Sequence, residues 1–136
     1  MKNDFIINVS ILIFYENKFL FIKRSLTESV FPGYWGIPGG KVENFDISLE
    51  DAARRECLEE IGIKIDTPLR MISNNIVAKD NKNVLYLVFV THLILFPICH
   101  IGEEVVEISW KSYEEIIQLE KITPKTLELI TNYILK

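Results

Sequence analysis

Gly39-Gly40-Lys41-Val42-Glu43 is followed, after a short loop, by Leu49-Glu50-Asp51-Ala52-Ala53-Arg54-Arg55-Glu56-Cys57-Leu58-Glu59-Glu60-Ile61-Gly62-Ile63. Ser48 is a good N-cap, Asp51 stands where a capping-box acid belongs, and Gly62 suits a terminating position, so the spacing predicts a helix over Leu49 to Glu60. On that helix Glu56, Glu59 and Glu60 fall at i, i+3 and i+4 and neighbour one another on one side. Like charges so placed repel by roughly a few tenths of a kcal/mol per pair. Either solvent absorbs that repulsion or a cation is expected. Magnesium suits the description, because it takes oxygen ligands, keeps several waters and is held by one or two carboxylates together with substrate phosphates. Such an ion neutralises phosphate charge and acidifies water beside it. Arg55 can orient one carboxylate through a bidentate ion pair. The paired glycines let the backbone approach closely, with Gly39 placed to offer a carbonyl to the same ions. From the acids alone, a solvated helix face is the ordinary reading. The fixed order of glycine turn, capped helix, Arg-Glu, Glu-Glu and closing glycine shifts the weight.

Upstream, Phe5 to Tyr15 and Phe19 to Lys23 are rich in β-branched and aromatic residues and are separated by the polar Glu16-Asn17-Lys18, which predicts a hairpin. Ser25 to Gly33 reads as a loop, Tyr34 to Ile37 as a brief strand, Pro38-Gly39-Gly40 as a turn, and Lys41 to Glu43 as a further extended piece. Downstream, Ile63 to Val77 and Val84 to Phe96 read as a second hairpin about the polar 79–83 turn. Glu104 to Ser109 reads as a strand, Ser112 to Leu119 as a short helix, and Thr123-Pro124 as the start of a terminal helix. Strands, a central helix, more strands and a last helix predict an α+β fold with a mixed sheet packed between helices, as one domain over residues 1–136.

A length of 136 residues with 49% hydrophobic content is enough to bury a core without disulfides. The net charge of −4 and a pI near 5.2 exclude broad electrostatic attachment to nucleic acid or anionic membrane, which needs a dense basic surface. Cys57 and Cys99 lie far apart in apolar stretches and read as free thiols in a reducing compartment. The apolar run after Lys2 is interrupted by Asn8 and Ser10 and has no small-residue cleavage site behind it, so it is not a secretory signal. It also falls short of the roughly 20 apolar residues that a spanning helix needs. A cytoplasmic protein is expected.

The order of these residues resembles the Nudix hydrolase (MutT-like) signature: Gly, five residues, Glu, seven residues, then Arg-Glu-U-x-Glu-Glu-x-Gly-U, with U aliphatic. Arg55 to Ile63 fills the second half if Cys57 counts as U, Gly40 fits the first glycine, and Tyr34 to Glu43 is similar to the family's usual lead-in. One position departs. Counting back from Arg55, Ile47 stands where the family has Glu, and the gap to Gly40 is one residue too long; either the longer loop lets the neighbouring Asp46 stand in for the missing acid, or the role is lost.

The resemblance implies a Nudix-type α/β/α sandwich and a metal-dependent hydrolase using Mg2+, with Mn2+ as the alternative ion. Water would attack a diphosphate linkage in a nucleoside diphosphate-X substrate. It implies Glu56, Glu59 and Glu60 as metal ligands and catalytic acids, aided by Arg55, with Gly39 and Glu104 completing the metal set and Glu103 the other candidate for the later acid. Arg24 resembles the arginine that many members hold at the end of the second strand; Lys41 is a weaker phosphate partner. Tyr34, Phe31 or Trp35 could stack on a base, although Trp35 suits the core better. The substrate expected first is a nucleoside triphosphate, releasing pyrophosphate; the alternatives are an ADP-ribose or nucleotide-sugar hydrolase and a nucleotide-sensing module without turnover. Tyr86 is displaced from the tyrosine that dinucleoside polyphosphate hydrolases often carry. Homodimers are common in the family and are carried as part of the same expectation.

Overall fold

A computed structural model describes residues 5–135, so Lys2 and both ends of the expected 1–136 domain lie outside it. The elements are β1 (Phe5–Tyr15), β2 (Lys18–Arg24), β3 (Trp35–Gly36), β4 (Gly39–Lys41), α1 (Leu49–Ile61), β5 (Arg70–Lys79), β6 (Lys82–His92), β7 (Val105–Lys111), α2 (Tyr113–Ile116) and α3 (Pro124–Leu135). The first hairpin forms as expected, but it is short. Only Phe14↔Phe19 and Tyr15↔Lys18 pair before the strands part. β1 then runs parallel to β6 from Phe5↔Asn83 to Phe14↔His92 and takes β4 antiparallel on its other edge, with Ser10 opposite Gly39. β2 turns away to pair with β3 and β7, and β5 closes the far edge against β6.

The mixed sheet is covered on both faces, and Ile11, Leu12 and Ile13 of β1 form an unbroken buried apolar run for that reason. Val9, Ile11 and Ile13 point to one side, where they meet Ala52, Ala53, Cys57 and Ile61 of α1. Leu12, with Phe19, Phe21 and Val90, points to the other, where it meets Ile116 of α2 and Ile130 of α3. This is the α/β/α sandwich expected, with helices on both faces of a mixed sheet. No described helix is long and apolar enough to cross a membrane.

Several boundaries differ from the sequence reading, each for a physical reason. Pro38-Gly39-Gly40 is not a turn: Gly39 and Gly40 belong to β4, where β1 passes so close that a Cβ on Gly39 would lie 2.4 Å from the Val9 carbonyl oxygen. The Tyr34 to Ile37 strand shrinks to Trp35–Gly36. In Ile63 to Val77 the alternation is real, since Ile63, Ile65 and Thr67 are buried, but among the described residues no strand forms a backbone ladder with 63–69, where Thr91 of β6 is met through side chains and Pro68 offers no N–H; pairing begins only at Arg70. The Val84 to Phe96 strand ends instead at His92, leaving Ile94, Leu95 and Phe96 exposed before Pro97. The helix expected over Ser112 to Leu119 is the single turn Tyr113–Ile116, held by a complete capping box between Ser112 and Glu115.

The acidic helix starts and stops as expected. Ser48 Oγ accepts from the Asp51 amide at 3.0 Å, and Gly62 takes φ 71° while donating to the Leu58 carbonyl at 3.0 Å. The box is only half closed, because the Asp51 carboxylate faces Arg54 at 3.8 Å.

Candidate active site at the acidic helix

α1 buries Ala52, Ala53, Cys57 and Ile61, which turns the helix so that Arg55, Glu56, Glu59 and Glu60 come out along the β4 side. Small buried residues bring the helix close to the sheet. Gly40 shows how close: a Cβ there would sit 2.4 Å from the Glu56 carboxyl carbon.

Arg55 is the hub of the outer half. Its Nε and one terminal nitrogen grip both oxygens of Asp46 at 2.8 and 2.9 Å. The same guanidinium donates to Glu56 at 3.1 Å, to Glu59 at 3.2 Å and to the Lys41 carbonyl at 3.1 Å, and it lies over the Phe45 ring at 5.2 Å. Asp46 is therefore the residue of this loop whose carboxylate meets Arg55, while Ile47 is 92% exposed. The Arg55 guanidinium and the Glu43 amide hold the Asp46 carboxyl below its ordinary value, and the Asp46 bond in turn raises the pKa of Arg55.

The inner half has the opposite balance. Glu60 is half-buried, and burial pushes its carboxyl up to about 8; Glu56 and Glu104 add to the rise, while the Gly39 amide, donating at 2.7 Å, and the charge of Arg24 oppose it. Glu56 is raised as well, first by burial and then by Glu59 and Glu104, against the pull of Arg55. Glu104 is thus the later acid whose charge reaches both. Gly39 meets the cluster through its N–H, which donates to Glu60. Among the described residues, no three His, Cys, Asp or Glu side chains converge as a cage for an ion. The donor set nonetheless fits a divalent cation that keeps most of its water. Glu56 and Glu60 are hard oxygen donors in a site short of positive charge, with Glu104 nearby, and Glu59 turned out onto Arg55.

The remaining expected residues surround this cluster unequally. Arg24 lies near enough for its charge to act on Glu60, but its guanidinium donates to Val30 O at 3.1 Å and to Glu28 at 3.3 Å, pinning the loop after β2. The Lys41 side chain is exposed, and its contribution to the site is the carbonyl on Arg55. Tyr34 is half-buried against Phe31, 5.1 Å between ring centroids, and Trp35 packs on the core beneath α3.

The sequence reading missed a cleft of about 1560 Å³ on the sheet face opposite α1, lined by Ser10, Ile37, Asn75, Tyr86, Lys125 and Asn132 among others. Its lining does not include Glu56, Glu59, Glu60 or Glu104. The two are joined through β4, since Ser10 lines the cleft and pairs with Gly39, which binds Glu60. Lys125 Nζ stands 3.7 Å from the Tyr86 ring centroid within it. These residues come from strands and a helix far apart in the chain, with no local motif to flag them.

Comparison with known proteins adds an independent line. The NUDIX domain family matches residues 4–133. The chain is 33% identical over 126 residues to the nucleoside triphosphatase NudI of Escherichia fergusonii, covering 84% of this chain and 88% of that protein. A shorter stretch is 43% identical over 65 residues to an uncharacterized 17.7 kDa protein of Enterobacteria phage T4, covering 46% of this chain and 43% of that one. The crystal structure of a MutT protein from Methanosarcina mazei superposes with a TM-score of 0.81 at 28% identity, covering 99% and 96% of the two chains.

Proposed function

This chain belongs to the Nudix family and is a Nudix hydrolase, and from that premise we propose that it hydrolyses nucleoside triphosphates to a mononucleotide and pyrophosphate. The similarity to a nucleoside triphosphatase over most of both chains supports that substrate. The observation that supports the site is the placement of Glu56 and Glu60 against β4, where the Gly39 N–H donates to Glu60 at 2.7 Å and Gly40 leaves no room for a Cβ beside Glu56. A divalent cation, magnesium or manganese, offsets the charge of these acids and of the phosphates when bound, and acidifies the attacking water.

Glu56 and Glu60 would hold the ion, with Glu59 and Glu104 completing the acidic rim. Arg55 keeps Glu56 and Glu59 in place while Asp46 anchors Arg55. Arg24, once it releases the loop, would meet the phosphates, and Lys41 and Tyr34 would stand at the entrance. The cleft lined by Ser10, Asn75 and Tyr86 is large enough for the nucleoside. Water adds to one phosphorus, the bridging P–O bond breaks, and the proton passes to the acidic rim; positioning and electrostatics supply most of the rate.

The test is release of pyrophosphate or mononucleotide from a panel of triphosphates, ADP-ribose and nucleotide sugars, with magnesium or manganese, for wild type and Glu60→Gln. Turnover of triphosphates that collapses in the variant supports the reading. A preference for ADP-ribose or a nucleotide sugar overturns the substrate, and tight nucleotide binding with no turnover in either metal favours the sensing module.

A further inference from the structure

The last carbonyls of a helix have no partners within it and must find donors elsewhere. α1 carries no basic residue in its last turn, so no side chain of its own serves them. Backbone amides do. Gly62 N–H donates to Leu58 O at 3.0 Å, His100 N–H to Ile61 O at 2.7 Å, and Gly102 N–H to Glu60 O at 2.8 Å. Two of those donors belong to the chain that leads from β6 into β7. The residue whose carboxylate enters the acid cluster, Glu60, is therefore bonded through its own carbonyl to the loop that carries Glu104.

The fit leaves no room for side chains at the contact. A Cβ on Gly62 would lie 2.9 Å from His100 Cβ, and a Cβ on Gly102 would lie 2.6 Å from the Glu59 carbonyl oxygen. The two glycines differ in kind. Gly62 needs its left-handed φ of 71°, whereas no left-handed φ requires a glycine at Gly102, where the constraint is proximity alone. Immediately beyond, Val105 N–H returns to Gly102 O at 3.3 Å and the Val105 side chain is buried in the core. Glu104 thus sits on a tight turn fixed at one end to the acidic helix and at the other to the core.

We propose that His100 and Gly102 form a backbone clasp on the C-terminal turn of α1 that positions Glu104 beside Glu56 and Glu60, so that the fourth acid of the site is set by two amides rather than by any side-chain bond. The clasp rests on the reading of Glu104 as part of the cation site. His100 and Gly102 are positioning residues. They touch neither substrate nor ion.

The experiment uses the full chain and three variants, Gly102→Ala, Glu104→Gln and the double variant. Manganese affinity is read from the EPR signal of free Mn2+, exchange of the amides at 100 and 102 by NMR, and folding by thermal melting. The expected result is that Gly102→Ala weakens manganese binding by about the same factor as Glu104→Gln, roughly tenfold, as for other groups that orient metal ligands. The double variant is expected to be no worse, and both amides to lose protection in Gly102→Ala. Should Gly102→Ala fail to fold, His100→Pro removes the clasp bond to Ile61 O without changing a residue of α1 and is expected to weaken binding in the same direction. Wild-type affinity in a folded Gly102→Ala protein, or losses that multiply in the double variant, overturns the clasp. Unchanged affinity in Glu104→Gln overturns the placement of Glu104 and the clasp with it. The predicted manganese pattern without turnover of any nucleotide sinks the proposed reaction and leaves the clasp standing.

Discussion

The two ends of the acidic helix's exposed face hold carboxylates in opposite electrostatic conditions. At the outer end both oxygens of Asp46 are held by the Nε and one terminal nitrogen of Arg55, and its carboxyl is held below its ordinary value. At the inner end Glu60 meets one amide and two other acids, and burial pushes it up to about 8. An acid with all the positive charge it needs is architecture. An acid buried beside like charges gains nothing for the fold and marks the place where a cation and its chemistry belong.

Removing the charge at Glu60 tests that contrast most severely. Glu60→Gln keeps an oxygen for the Gly39 amide but loses the carboxylate, and kcat is expected to fall by about 10²–10³, the usual scale for losing one electrostatic group of a catalytic site. Without metal, the variant is expected to melt no lower than wild type, because burial already disfavours the charged form of Glu60 and Gln keeps the acceptor for the Gly39 amide. Steady-state kinetics and melting in chelator read the two effects separately. A variant that loses stability along with activity would show that Glu60 is structural, like Asp46.

Acidity should separate the two ends without any mutation. The folded value of Glu60, about 8, lies above its ordinary 4.5, so its contribution to stability is complete below 4.5 and is lost as pH rises through 8. Asp46 runs the other way: its folded value lies below 3.8, so its contribution is present above 3.8 and is lost as pH falls through the lowered value. Metal-free protein is therefore expected to melt highest in mild acid and lower toward pH 8.5, and magnesium is expected to flatten the alkaline arm. A melting temperature that climbs steadily from pH 5 to 8.5 in chelator would contradict the charge deficit.

How much of this was open to the sequence follows from how local each feature is. The helix ends could be read because Ser48 and Gly62 act on their own neighbours, and the β1–β2 turn could be read for the same reason. β4 could not, because Gly39 and Gly40 look like a turn until Val9 of a distant strand is known to pass beside them. Ile63, Ile65 and Thr67 alternate as a strand does and are buried as a strand would be. What they lack is a partner, and nothing within the segment reports that. The acids of α1 declared themselves by helical spacing, whereas Asn75, Tyr86 and Asn132 meet in the cleft only through the sheet order. The clasp at Gly102 is equally non-local, since the atom that forbids a side chain there is the carbonyl of Glu59.

Asp46→Ala probes the outer end alone. Arg55 would lose its bidentate partner but keep Glu56, Glu59 and the Lys41 carbonyl, so activity is expected to drop by about tenfold through misplacement of the carboxylates. The pH dependence below 3.8 should disappear while the alkaline arm of the melting curve remains. Kinetics and pH-dependent melting on one variant settle both. A loss as large as that of Glu60→Gln would mean that Asp46 works in the reaction and not behind it.

The smallest effect is expected where the motif departs from its pattern. Ile47→Glu restores an acid at the position counted back from Arg55, yet Ile47 is 92% exposed and Arg55 already holds both oxygens of Asp46. Kinetics should be unchanged, and stability should move by no more than about 0.5 kcal/mol, the ordinary scale for an exposed substitution. The informative form is the pair. If Asp46 has taken over the role, Ile47→Glu is silent alone and recovers part of the activity in the Asp46→Ala background, because the freed guanidinium can reach one residue along the loop. If it rescues nothing there, the extra loop residue has moved position 47 out of reach of Arg55, and Asp46 is the one acid in the 43–48 loop that can anchor the helix's arginine.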